Sequence, residues 1–425
     1  MRYIIDVTQL VHWSGNLTGI PRVMDELAIR FLNTYPDNTV FVSWVKEVGA
    51  MCEVNFAKTR THRGSSIDYI YEGLSKVSSV RDNKSRDIAK KIIKKIAAKS
   101  RVDRSYLFQK LKSTSYAVEA STYKKYQPQG GDKFFIPWGE WWDQNWLNTV
   151  TSYSKNGVEI YPVCHDILPM VVPQFSGSSS SLSDFISQIF PISRKIIVQS
   201  RSTKNDLINW MESQQLTIPP VELFRIGEDF STAETSVSTQ LMTKKYSVAD
   251  NKYLIYVSTI EPRKNHILLY YTYRLAKSRG IKLPKLLIVG RVGHDTQNII
   301  KFINEDPEIN DLIKIYNDVG DRDLSWLYDH CMFTVVPSLY EGWGMSVVES
   351  IAKGKPAVCS NSSSLAEMPE NSVMHFNPNS TDECLDAIIN MMKPDTLRRF
   401  TENAKKYVPH SWDSSFNQII DILGK

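Results

Sequence analysis

Phe333 to Glu367 reads FTVVPSLYEGWGMSVVESIAKGKPAVCSNSSSLAE. Phe333 to Val336 is a short, continuous apolar run, the pattern of a strand buried on both faces. A loop with Gly342 and Gly344 follows it. The spacing then predicts a helix from near Ser346 to Gly354, and Pro356 to Cys359 is a second apolar run. Strand, glycine loop, helix, strand is a βαβ unit. Its loop lies at the carboxyl end of a parallel sheet, where such sheets bind ligands. Free amides and the dipole at the start of the helix favour an anion there.

Glu341 and Glu349 stand in that unit with seven residues between them. Glu341 projects from the loop and Glu349 from the first helical turn. Two bland readings stay open. Ser346 and Glu349 have the spacing of a capping box, and Glu341 alone is an ordinary solvated loop acid.

The run SLYEGWGMSVVESIAKGKPAVCSNSSSLAE resembles the signature of family 4 retaining glycosyltransferases, enzymes of the GT-B fold that use sugar nucleotides. Both glutamates occupy the family's paired positions, and Trp343 stands where many relatives carry Phe. The resemblance implies that Glu349 binds ribose hydroxyls and that Glu341 lies against the donor sugar and its phosphates. It extends donor contacts to Gly342, Trp343, Gly344, Met345 and Ser346.

Working outward, Lys252 to Val257 reads as a strand whose exit carries Glu261-Pro262-Arg263-Lys264-Asn265. Adjacent Arg and Lys at a strand exit suit a pyrophosphate, one by bidentate hydrogen bonding and the other as a compact charge. EPRKN is a second family match. Thr259 departs from it, since many relatives carry arginine there, so Arg291 in Gly290-Arg291-Val292-Gly293 is a further candidate for the clamp. Val158 to Val163 is a strand leading into VCHDILPMVVPQF, which resembles the family's HD segment. By that resemblance His165 binds a donor hydroxyl or phosphate and Asp166 orients it. Tyr3 to Val7, a glycine loop and a helix form a second unit, in which TGIPRVMDELA resembles the family's N-terminal glycine loop and Gly19 approaches the donor or acceptor; a plain tight turn is the other reading. Trp138, Trp141, Trp142 and Trp146 read mainly as core, with one able to stack on a sugar. Asp321-Arg322-Asp323 mimics a metal-binding DxD but reads better as the start of a helix, and no metal site is expected.

The 425 residues exceed one ordinary core, and 42% apolar with 23% charged residues is a globular balance. No apolar run of about 18 residues spans a membrane. MRYIIDVTQLVHW reads as a strand rather than a leader, and five scattered cysteines without a CxxC pair point to a reduced cytoplasmic protein. The net charge of +5 conceals Lys84 to Lys112, which carries +9 and leaves −4 elsewhere. Ile88, Ile92, Ile93 and Ile96 form a stripe among its lysines. Peripheral contact with an anionic membrane and packing on the core are both open. No aromatic or RNA-binding motif accompanies the charge, so nucleic acid is not an expected partner.

Together these readings imply an α/β chain with two Rossmann-like, doubly wound parallel-sheet domains facing a central cleft. The expected divisions are 1–230 on the acceptor side, 231–408 for the nucleotide-sugar, and a helix in 409–425 crossing back. Polar residues 227–250 form the linker, and GSSSS at 177–181 is a loop beside the cleft. The resemblance implies a retaining, metal-independent hexosyltransferase without a cofactor. Mannose from GDP-mannose is the expected donor, and a lipid-linked oligosaccharide of bacterial O-antigen or capsule synthesis the acceptor. Rhamnosyl, fucosyl and glucosyl transfer from dTDP-, GDP- or UDP-sugars are alternatives, as is a non-catalytic glycan-binding subunit.

Overall fold

The computed structural model describes residues 1–13, 19–56, 123–175, 180–228, 238–317 and 319–424. Seven strands, β1 (Tyr3–Asp6), β2 (Thr39–Val45), β3 (Ala50–Glu53), β4 (Lys133–Ile136), β5 (Glu159–Cys164), β6 (Ile196–Val198) and β7 (Val221–Leu223), form one sheet. Six more, β8 (Tyr253–Val257), β9 (Lys285–Val289), β10 (Ile313–Tyr316), β11 (Phe333–Val336), β12 (Ala357–Ser360) and β13 (Val373–Phe376), form another.

The orders are β3-β2-β1-β4-β5-β6-β7 and β10-β9-β8-β11-β12-β13. Every pairing is parallel except that of β2 with β3. Both are doubly wound. Each reverses direction beside its first strand, between β1 and β4 and between β8 and β11, and ligands of such sheets bind outside the strand ends at that point.

Two compact units divide the chain within β5: residues 1–162 with 192–194, and residues 163–191 with 195–425. In the first, Ile4, Ile5, Phe134, Phe135 and Ile160 are buried strand residues, and the helix Ile20–Thr34 buries Val23, Met24, Leu27 and Phe31. In the second, β8, β9, β11 and β12 supply Leu254, Tyr256, Leu286, Ile288, Val335 and Val358 to a core that Val347, Val348 and Ile351 complete from the helix Met345–Ala352. The helix Trp412–Leu423 lies in this unit with residues 225–228. The Glu228 amide donates to the His410 carbonyl at 2.8 Å and the Arg225 amide to Gln418 Oε1 at 2.8 Å.

Some expected bounds differ. Val221 to Ile226 is a strand only to Leu223, because the following backbone turns to meet the C-terminal helix. The polar linker contains a helix, Thr239–Tyr246, anchored by buried Met242 and Tyr246. Lys84 to Lys112 and residues 177–179 lie outside the described residues. No helix among those described is long and apolar enough to cross a membrane.

Candidate functional site

The exit of β8 is stitched to the exit of β11. After a 3-10 turn at Pro262–Lys264, Asn265 takes a left-handed conformation, φ 57°. Its side-chain amide donates to the carbonyls of Pro337 at 3.1 Å and Pro378 at 2.9 Å. The Leu339 amide donates to the Arg263 carbonyl at 2.8 Å, and the buried Tyr256 hydroxyl reaches the Lys264 carbonyl at 2.9 Å and Ser338 Oγ at 3.0 Å. These bonds set Arg263 and Lys264 beside the glycine loop at the switch point of the second sheet.

Glu341 is the acceptor at the centre. Oε1 takes Lys264 Nζ at 2.5 Å and Ser338 Oγ at 2.7 Å, and Oε2 takes Arg263 Nη1 at 3.0 Å. Arg263 also pairs with Glu261 at 2.8 Å and donates to the Tyr340 carbonyl at 3.1 Å. Burial alone would raise the Glu341 pKa, but Lys264 and then Arg263 outweigh it and hold the carboxyl down at about 2. Burial works to lower the Arg263 pKa too, yet the charges of Glu341, Glu261 and Asp166 raise it on balance. Lys264 lies below the ordinary lysine range, because burial and the Arg263 charge exceed the pull of Glu341.

The glycine loop is braced from behind by a run of serines. Ser360 Oγ donates to the Ser338 carbonyl (2.6 Å), Ser362 Oγ to that of Leu339 (2.5 Å), and Ser364 Oγ to those of Glu341 and Trp343 (2.8 Å each). Ser363 Oγ accepts from the Glu341 amide at 2.8 Å. The carbonyls of Ser338, Leu339, Glu341 and Trp343 are thus engaged on the serine side. Among the described residues the amides of Gly342 to Ser346 find no protein acceptor, which leaves a run of donors suited to an anion. Trp343 is half-buried against the core, and its indole N–H meets no acceptor among the described residues.

The capping-box reading is corrected here. Gly344, at φ 107°, is the N-cap, the helix starts at Met345, and no side chain among the described residues caps it. Ser346 therefore sits inside the first turn, two positions past the cap. Glu349 Oε2 instead accepts from the Tyr328 hydroxyl at 3.2 Å.

His165 and Asp166 follow β5 and belong to the same unit. The His165 carbonyl packs on the Gly342 α-carbon so closely that a Cβ there would lie 2.4 Å from it. Gln199 bonds His165 Nδ1. Asp166 Oδ1 accepts from the Leu168 amide at 3.1 Å, so its carboxylate braces the next turn rather than the imidazole. The helix Arg201–Ser213 adds further ties. Tyr340 donates to Asp206 at 2.6 Å, Thr203 Oγ1 to the Gly342 carbonyl at 3.4 Å, and the Arg201 and Ser202 amides donate to the Glu367 carboxylate at 3.1 and 2.7 Å.

Arg291 is exposed, with its carbonyl taken by the Ile260 amide at 2.8 Å. Gly290 and Gly293 admit the neighbouring strand exit; a Cβ would lie 1.9 Å from the Ser258 carbonyl oxygen at Gly290 and 2.6 Å from that of Ile260 at Gly293. Gly19 is the N-cap of its helix in the first unit, at φ 58°, with Pro21 in the first turn. Asp321 opens a helix capped by Gly320, and Asp323 is taken by Lys245 at 2.5 Å and Tyr246 at 2.8 Å. Trp146 is fully buried and Trp142 is 43% exposed.

The sequence alone assigned no role to the serine run, Asn265, Gln199, Glu367 or Tyr328. The repeated serines at 360, 362, 363 and 364 were a visible signal; the others are single residues whose partners are distant in sequence. It also missed two buried carboxylates beside the first sheet's switch point. Asp6 Oδ1 accepts from the Thr8 amide (2.9 Å) and hydroxyl (2.5 Å), and Glu140 takes Gln9 Nε2 at 2.5 Å and lies 3.4 Å from Lys46 Nζ.

Residues 238–407 match the family model described as Glycosyl transferases group 1. The chain is 30% identical over 183 residues to "O-antigen chain mannosyltransferase B" of Escherichia coli, covering 42% of this chain and 47% of that one. It is 23% identical over 235 residues to "Serotype-specific mannosyltransferase WbdA" of Escherichia coli, covering 53% of this chain and 29% of the relative. The chain therefore spans less than half the length of these two relatives. Among solved structures, Anabaena HepE in complex with UDP and glucose superposes with a TM-score of 0.60 at 16% identity, covering 100% of this chain and 99% of that one. At that identity the likeness concerns the fold, which is GT-B.

Proposed function

We propose that this chain, whose residues 238–407 make a glycosyl transferases group 1 domain, is a retaining mannosyltransferase. Its donor is GDP-mannose, and its acceptor is a lipid-linked oligosaccharide of a bacterial surface polysaccharide. One observation carries the reading. Half-buried Arg263 and Lys264 pair with buried Glu341 beside five consecutive amides that meet no acceptor among the described residues, at the switch point of a doubly wound sheet. The mannosyltransferase names of the relatives support the choice of sugar.

In this account the C1–O bond to the diphosphate breaks with oxocarbenium character, and its electron pair goes to the departing phosphate oxygen. Arg263, Lys264, the Gly342–Ser346 amides and the helix dipole stabilise the negative charge that grows there. These groups supply the charge in place of a metal. Glu349 holds the ribose, and Glu341 and His165 hold the sugar. The acceptor hydroxyl bonds to C1 on the face the diphosphate leaves, and its proton passes to the leaving phosphate. The substrate is met at the cytoplasmic membrane face, to which the basic residues 84–112 are attracted.

The test is transfer by the purified full chain to a lipid-linked acceptor, with GDP-mannose, GDP-fucose, UDP-glucose and dTDP-rhamnose offered separately. Release of GDP with an α-mannosyl product, unchanged by a chelator, is expected. Transfer of another sugar would correct the donor, and no transfer or donor hydrolysis with any would favour a non-catalytic subunit.

A further inference from the structure

Tyr328 closes the helix Asp321–Asp329 and is fully buried in a cluster with Tyr253, Ile255, Leu287, Leu327 and Cys331. A phenylalanine ring would fill the same apolar space, so packing alone does not call for the hydroxyl. The hydroxyl lies 3.2 Å from Glu349 Oε2 and 3.5 Å from the Ser346 carbonyl oxygen. A phenol carries one proton, and the nearer, charged acceptor is the stronger partner. A glutamate's last torsion is soft and its carboxylate turns over a broad range. A hydrogen bond from a ring fixed by packing narrows that range.

We propose that Tyr328 is a positioning residue for Glu349. Its hydroxyl holds the carboxylate in the plane that lets it take both ribose hydroxyls of a nucleoside diphosphate. Tyr328 thereby sets the preference for ribose over 2′-deoxyribose. The inference rests on the reading that Glu349 binds ribose.

The experiment is calorimetric titration of the full chain with GDP and with 2′-deoxy-GDP, for wild type, Tyr328→Phe, Glu349→Gln and the double variant. If UDP binds more tightly than GDP, UDP and 2′-deoxy-UDP take their place. Tyr328→Phe is expected to weaken the ribonucleotide roughly tenfold, the effect of losing one hydrogen bond to a charged group, and to weaken the deoxynucleotide less. In the Glu349→Gln background the same substitution is expected to change little, because its effect passes through the carboxylate. An equal loss in both backgrounds, or an unchanged ribose preference, would overturn the inference and leave Tyr328 a packing residue. Undiminished nucleotide binding by Glu349→Gln would instead overturn the donor-site reading beneath it.

Discussion

Two carboxyl groups of this chain are displaced in opposite directions by opposite surroundings. Glu341 is held at about 2, below its ordinary 4.5, by Lys264 and Arg263 against the effect of burial. The stability it contributes is complete above about pH 4.5 and is lost as pH falls towards 2. Glu341→Gln is therefore expected to flatten the melting temperature against pH across that window. An acid limb identical to wild type would contradict it. Asp6 is pushed up from 3.8 to about 6, chiefly by burial. Its folded form binds a proton that its unfolded form has already lost, so stability declines as pH rises from about 4 through 6. Asp6→Asn is expected to remove that decline, which a melting series over the same range checks. The residue types at Glu341, Glu349, Arg263 and Lys264 were legible in the sequence because their chemistry and spacing stand in a recognisable pattern. Their mutual pairing was not, since Lys264 and Glu341 meet across a gap of 77 residues.

At the scale of elements, the glycine loop depends on close approach and on its serine brace. A methyl group at Gly342 would lie 2.4 Å from the His165 carbonyl oxygen, and backbone must shift to admit it. Gly342→Ala is expected to cost about 1–3 kcal/mol of stability and to weaken nucleotide binding; unchanged melting and binding would refute the packing account. Ser364 holds two carbonyls of the loop with one hydroxyl. Ser364→Ala leaves those carbonyls unmatched, and a loss of about 1–3 kcal/mol follows, read as a lower denaturation midpoint. The strand–loop–helix–strand unit was legible because buried parallel strands are continuous apolar runs. Its cap was not, because a left-handed Gly344 moved the helix start to Met345 and displaced the expected box. Gly290 and Gly293, a glycine pair at a strand exit, admit the exit of β8, where a Cβ would meet the Ser258 and Ile260 carbonyls.

For the whole molecule, both sheets share a doubly wound order and each places its switch point beside its first strand. The alternation of apolar runs with helical segments carried that architecture in the sequence. Short strands such as β6 and β7, three residues each, left their ends undefined until pairing partners were known. The central claim is that the β8 and β11 exits of the second unit hold a nucleoside diphosphate. Calorimetric titration of wild type and Glu349→Ala with GDP, UDP and dTDP tests it most directly. One of the three should bind wild type with a single site and fail to bind Glu349→Ala at the same concentrations. Binding of none of them to wild type, or equal binding to both proteins, would contradict it.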